Sequence, residues 1–148
     1  KELTVAKTLF DGANFVTIDA IEHDKKIAVI LGLTHLMNLV FANIISKDEK
    51  MLLTEKMSGT TFRVQKTLAE SIMTETPELI ETIIANPEIR RVAEELWKDI
   101  GRLLTSVQES KTEEVIEYIK NCQERLSKHT DLDESYKKLS KMVKSVEK

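Results

Sequence analysis

The sequence predicts an all-α fold, a multi-helix bundle preceded by a short helix-strand segment, and three observations carry that expectation. Apolar residues recur every three or four positions along most of the chain. Chain-breaking residues are sparse, with four Gly and two Pro in 148 residues. Residues that cap or open helices stand in front of the periodic segments.

Lys1 to Phe10 reads as a short helix, with Leu3, Ala6, Leu9 and Phe10 on one face and Gly12 placed to stop it. Ala13 to Ile18 (ANFVTI) is brief, β-branched and aromatic, and reads as a strand. A helix, a glycine and a strand form half of an α/β crossover, and a parallel sheet needs more strands than this chain offers. Residues 1–18 therefore read as the remnant of a preceding α/β domain, or as a strand that pairs with another subunit, and residues 19–148 as the helical domain. Asp19 can cap a long helix running to about Ser46. Asp48 to Lys56 reads as a short connecting helix, and Ser58-Gly59 as a break. Thr60 or Thr61 can then cap a helix ending near Thr74.

Pro77 and Pro87 each open a helix at the first-turn position, where proline forfeits no hydrogen bond. After Pro87, the residues Ile89, Val92, Leu96, Ile100, Leu103 and Val107 form a stripe. Val115, Ile119, Cys122 and Leu126 repeat the spacing, as do Leu132, Tyr136, Leu139, Val143 and Val146. Such seams suit antiparallel helix packing. The last helix carries Asp131, Asp133 and Glu134 at its start and Lys141, Lys144 and Lys148 at its end, in accord with the helix dipole.

A net charge of -3 gives no concentrated basic surface, so no nucleic-acid partner is expected. The single cysteine, Cys122, forms no internal disulfide and sits on an apolar stripe, which points to a packed thiol and a reducing, cytoplasmic setting. Ile27 to Ile45 carries no Asp, Glu, Lys or Arg, yet it contains Thr34, His35, Asn38 and Asn43. Polar side chains facing lipid are costly, so the expectation is a helix buried among helices, with no membrane span.

The four glycines are scattered, which leaves no phosphate-cradling loop. His23, His35 and His129 lack metal-ligand spacing. Carboxylate pairs such as Glu94-Glu95 and Glu113-Glu114 read as surface residues. Two features stand apart. His35 lies within the apolar helix, flanked by Thr34 and Asn38, and by itself fits a satisfied core histidine. Ser58-Gly59-Thr60-Thr61-Phe62-Arg63 gathers hydroxyls, a glycine, helix N-terminal amides and a guanidinium, groups that can hold a carboxylate and that also make ordinary caps.

At these residues the sequence resembles a known family. EHDKKIAVILGLTH (Glu22 to His35) is similar to the His-Asp…His signature that opens the C-terminal helical domain of prephenate dehydrogenases. SGTTFR (Ser58 to Arg63), TETPELIETI (Thr74 to Ile83) and the segment from Leu96 to Leu126 continue the similarity, which covers about Asn14 to Leu126. The resemblance implies a homodimer of interlocked helical domains and an N-terminal dinucleotide-binding domain. It also implies oxidative decarboxylation of prephenate, or of arogenate, with NAD or NADP in tyrosine biosynthesis, and tyrosine as a candidate inhibitor. The family's catalytic histidine and glycine fingerprint belong to the nucleotide domain, so no catalytic residue and no bound cofactor are expected in this chain alone. By match of motif, His35 faces the substrate cleft, with Ser58, Gly59, Thr60 and Arg63 near it, while His23 and Asp24 fix the start of the long helix. The arginine with which many members grip a substrate carboxylate falls at Ser71, and Arg63 could substitute for it. Two other readings stay open from the residues: a stand-alone helical protein for dimerisation or partner binding, and a small helical enzyme with a chorismate-mutase-like fold. The latter should carry several cations facing one helical core, and the long helix has none between Lys26 and Lys47.

Overall fold

The computed structural model describes residues 2–10, 12–47, 49–50 and 54–146. These are organised around one helix, α2 (Ala20–Ile45), which follows the short α1 (Glu2–Leu9). Asp19 caps α2 through its carboxylate, which accepts from the Glu22 amide at 3.0 Å. Within α2 the backbone widens to a π-helix over Ala28–Leu33. There the Thr34 hydroxyl donates back to the Ile30 carbonyl, and the His35 ring to that of Leu31, each at 2.8 Å. Such π segments mostly occur as single-turn insertions and frequently mark functional sites.

After α2 come a 3₁₀ turn at Glu55–Met57, α3 (Thr60–Ile72), α4 (Pro77–Ile84), α5 (Pro87–Gln108), α6 (Thr112–Ser127) and α7 (Leu132–Val146). The cap of α3 is Gly59, so Thr60 is its first residue and not its cap, a correction of one position. Thr76 and Asn86 cap α4 and α5 by accepting from the Leu79 and Glu88 amides, with Pro77 and Pro87 at the first helical position. Asp131 accepts from the amides of Asp133 and Glu134 and so starts α7. The connecting helix expected from Asp48 to Lys56 falls partly outside the described residues, and the described part includes a turn at residues 49–50 and the 3₁₀ turn.

One expectation fails. Residues 13–18 do not form a strand; they are irregular, and no strand occurs among the described residues. A strand is defined by its ladder partner, and no second extended segment lies beside this one. Gly12 takes φ 78°, the left-handed conformation that ends α1 at little steric cost.

The C-terminal half of α2 packs against α3 and α4, and its π segment packs against α5. In turn α6 packs on α5, and α7 returns to α3. The cross-contacts run Phe41 to Phe62, Asn38 to Gln65 and His35 to Glu75, so α3 lies antiparallel to α2. The core is small: Ala28, Ile89 and Val92 are buried together with Leu33 against them, and Ala69, Ile72 and Val143 are buried elsewhere.

Much of the apolar stripe on each helix stays uncovered. On α2 the side chains of Ile30, Met37, Val40 and Ile44 are exposed, spaced by seven, three and four residues as in a helix-pairing seam. On α5 the exposed set is Trp97, Ile100, Leu104 and Val107. A folded monomer of 16.9 kDa exposes roughly 7,700 Å² by the usual mass scaling, whereas this chain exposes 12211 Å². A compact solitary fold would have covered the difference. By length and composition α2 is also long and apolar enough to cross a membrane, with 22% of its most apolar window buried.

Candidate functional site

The π segment of α2 sets the position of His35. Thr34 and His35 begin the regular helix that follows it, and the buried side of α2 runs through Ala28, Gly32, His35 and Asn38. His35 is 6% exposed and Asn38 4%. Both are fully engaged, as buried polar groups require. The Asn38 amide nitrogen donates to the Thr34 carbonyl at 2.9 Å, and its oxygen accepts from the Gln65 amide at 2.7 Å. The His35 ring meets the Leu31 carbonyl through Nδ1 and Glu75 Oε2 through Nε2, the latter at 3.3 Å. No buried side-chain nitrogen or oxygen among the described residues lacks a partner.

A polar seam therefore runs between α2 and α3 from Asn38–Gln65 to His35–Glu75. Of its members, the sequence draws attention to His35 and Asn38 alone. Glu75 lies 40 positions from His35 and Gln65 lies 27 from Asn38, and helical periodicity within one segment carries no information about either pairing.

The second group stands at the start of α3. Gly59 caps the helix and contributes no side chain, and Thr60 follows as the first helical residue. The Arg63 Nε donates to the Ser58 hydroxyl at 3.1 Å, so the guanidinium folds back over the cap. Positive charge and helix N-terminal amides at one place suit an anion. Ser58, Gly59, Thr60 and Arg63 are thus brought together. Within one chain, however, His35 is not brought to them: its partner Glu75 follows the far end of α3, a helix of 13 residues and so about 20 Å long. His23 and Asp24 contact each other at 3.1 Å on the exposed face of α2, and the Asn86 side chain donates to the Asp24 carbonyl, which ties the start of α2 to the start of α5. Ser71 donates to the Leu68 carbonyl of its own helix.

A separate open cleft of about 740 Å³ lies between α5 and α6, lined by Asp99, Arg102, Ser106, Glu114 and Tyr118 among others. The Ser106 hydroxyl donates to Glu114 at 2.9 Å and, together with Lys111, holds that carboxyl below the usual carboxylate range. Lys111 is raised by its contacts with Glu109 and Glu114. Burial, then the neighbouring Asp99 that accepts its hydroxyl, pushes the Tyr118 phenol up. Cys122, half-buried on α6, accepts from Arg125 at 3.4 Å.

The residues present do not fit a dinucleotide. Gly32 is packed under Ile89, Gly59 caps α3, Gly101 lies inside α5 and Gly12 ends α1, so no glycines gather between a strand and a helix. No group of three or more metal-ligating side chains occurs among the described residues.

Comparison with curated proteins and with solved structures gave no match. The model of one protein family, described as the dimerization domain of prephenate dehydrogenase, matches residues 19–121, well over half of the chain, and the chain belongs to that family.

Proposed function

We propose that this chain is the dimerisation and substrate-side domain of a prephenate or arogenate dehydrogenase, which works as a homodimer in the oxidative decarboxylation that leads to tyrosine. The family match over residues 19–121 carries the reading. The uncovered seams on α2 and α5 support the homodimer, since a second copy would bury them, and obligate interfaces of this kind cover more than about 2,000 Å². The same covering accounts for the apolar length of α2 without a membrane. Residues 1–18 are then the end of a preceding nucleotide domain: Leu3, Val5, Leu9 and Phe10 of this segment are exposed and want a neighbour. The single cysteine favours a cytoplasmic enzyme.

Enzymes of this family use NAD or NADP, which accept the hydride when bound. The present residues offer that cofactor no site, so their contribution is to bind and orient the substrate. The cap of α3 supplies backbone amides, the Ser58 and Thr60 hydroxyls and the Arg63 guanidinium toward a carboxylate, and Arg63 takes the role for which Ser71 has no charge. By match of motif His35 belongs to the substrate side of the domain, with its ring held by the Leu31 carbonyl and Glu75. His35 and the α3 cap lie far apart within one chain, and dimerisation is the step that can complete a cleft from both.

Calorimetric titration of prephenate, arogenate and tyrosine into the full-length protein tests the reading. Binding that weakens at least tenfold in Arg63→Ala is the expected result, the loss of one charge-assisted contact. Absence of binding by any of the three ligands would leave a dimerisation domain with some other substrate.

A further inference from the structure

The two halves of α2 meet different neighbours, and the π segment lies between them. In an unbroken α-helix Ala28 and His35, seven residues apart, would fall on nearly one line along the surface. Here Ala28 and Gly32 pack against α5, where Gly32 lies beneath Ile89, whereas Asn38 and Phe41 meet Gln65 and Phe62 of α3. A π turn holds about one residue more than an α-helical turn, and at 3.6 residues per turn that residue offsets the helix after it by about 100°.

The side chains that follow complete the turn. In a regular helix the Ile30 carbonyl receives the Thr34 amide, and the Leu31 carbonyl the His35 amide. Here the Thr34 amide donates to the Leu31 carbonyl. The Thr34 hydroxyl serves Ile30 and the His35 ring serves Leu31, each from four residues on and each at 2.8 Å. Both ends of the arrangement are pinned to other elements. Gly32 leaves no room for a Cβ under Ile89, and His35 Nε2 lies 3.3 Å from Glu75 in the turn after α3. We propose that Ala28–Leu33 stores one residue more than the two halves of α2 need, that the Thr34 hydroxyl and the His35 ring hold it as a π turn, and that it sets the register of the following half on α3. Closing the turn with no residue removed would rotate that half by about 100° and take Asn38 off Gln65 and Phe41 off Phe62. The inference is independent of which substrate the protein takes.

The test is two single-residue deletions in the full-length protein, read by thermal melts and by the aromatic NOE between Phe41 and Phe62, whose ring centroids lie 5.8 Å apart. Deletion of Val29, which is 48% exposed, should let α2 close into a regular helix with both halves still in register. The NOE then persists, and the thermal midpoint stays within about 3 °C of the wild type. Deletion of Val40, which is 49% exposed and lies outside the π segment, should abolish the NOE and lower the midpoint by more than about 10 °C. Thr34→Val should lower the midpoint of the wild type and leave that of the Val29 deletion unchanged, because there an amide again serves the Ile30 carbonyl. A Val29 deletion that unfolds the protein or loses the NOE overturns the proposal, and so does an equal effect of Thr34→Val in the two backgrounds. A Val40 deletion as mild as that of Val29 would also overturn it, by showing that α2 tolerates the loss of a residue anywhere along its length.

Discussion

Gly32 of α2 lies directly beneath Ile89 of α5: a Cβ added at Gly32 would overlap the Cγ1 and Cδ1 atoms of that isoleucine. The close approach brings the π segment of α2 against the start of α5 and builds the small core of Ala28, Leu33, Ile89 and Val92. Gly32→Ala gains helix propensity of about 1 kcal/mol. It must also push a β-branched side chain with a stiff χ1 out of its well, at about 1–3 kcal/mol. The net expectation is a lower thermal midpoint. In an Ile89→Ala background the same substitution should cost little or become favourable, so a double-mutant cycle should show strong non-additivity, and additive effects would mean the two helices separate easily.

Asn38 offers a second stability test, because its side chain joins two elements. Asn38→Ala leaves the half-buried Gln65 amide without its acceptor, an expected loss of about 1 kcal/mol by denaturant unfolding. Replacing Asn38 and Gln65 together by apolar residues should cost less than the sum of the single changes.

These two seams show how far the sequence could be read. The long helix, its Asp19 cap, the two proline starts and the last four helices are legible because their determinants are local: a capping side chain, a proline at the first turn, a three-to-four periodicity. His35 stands out because it interrupts an apolar run. Its partner Glu75 does not, since nothing local distinguishes that carboxylate from Glu78 or Glu81. The strand expected at residues 13–18 rests on β propensity, which describes a side chain's fit to a sheet and is silent on whether a sheet is present. The π segment is likewise invisible to periodicity, because it changes the phase of the helix over a single stretch.

The only tryptophan, Trp97, reports on the uncovered face of α5, where it is 78% exposed in the single chain. If a second copy covers that face, its emission at micromolar concentration should be that of a shielded indole and should shift to the red on dilution as the dimer dissociates. Emission of a fully hydrated indole at every concentration would place Trp97 outside the interface.

The turn between α5 and α6 should carry a small pH dependence. Glu114 is depressed in the fold by the Ser106 hydroxyl and by Lys111, so its contribution is present above its unfolded value and is lost as pH falls through the folded one. The wild type should therefore lose its advantage over Glu114→Gln in the acidic range below the ordinary carboxylate value, and the difference at neutral pH should shrink with added salt. Thermal melts of the two proteins from neutral to acidic pH check this, and a constant gap would assign the effect to the hydrogen bond alone.

The excess exposed surface is the observation that most needs a partner, and the mass of the particle in solution tests it most directly. Light scattering coupled to size exclusion at micromolar concentration should give twice the 16.9 kDa chain mass. Ile30→Asp, which places a charge in the exposed seam of α2, should lower that mass toward one chain. A wild-type particle of one chain mass would contradict the account, since α2 and α5 would then hold their apolar faces in water with nothing to cover them.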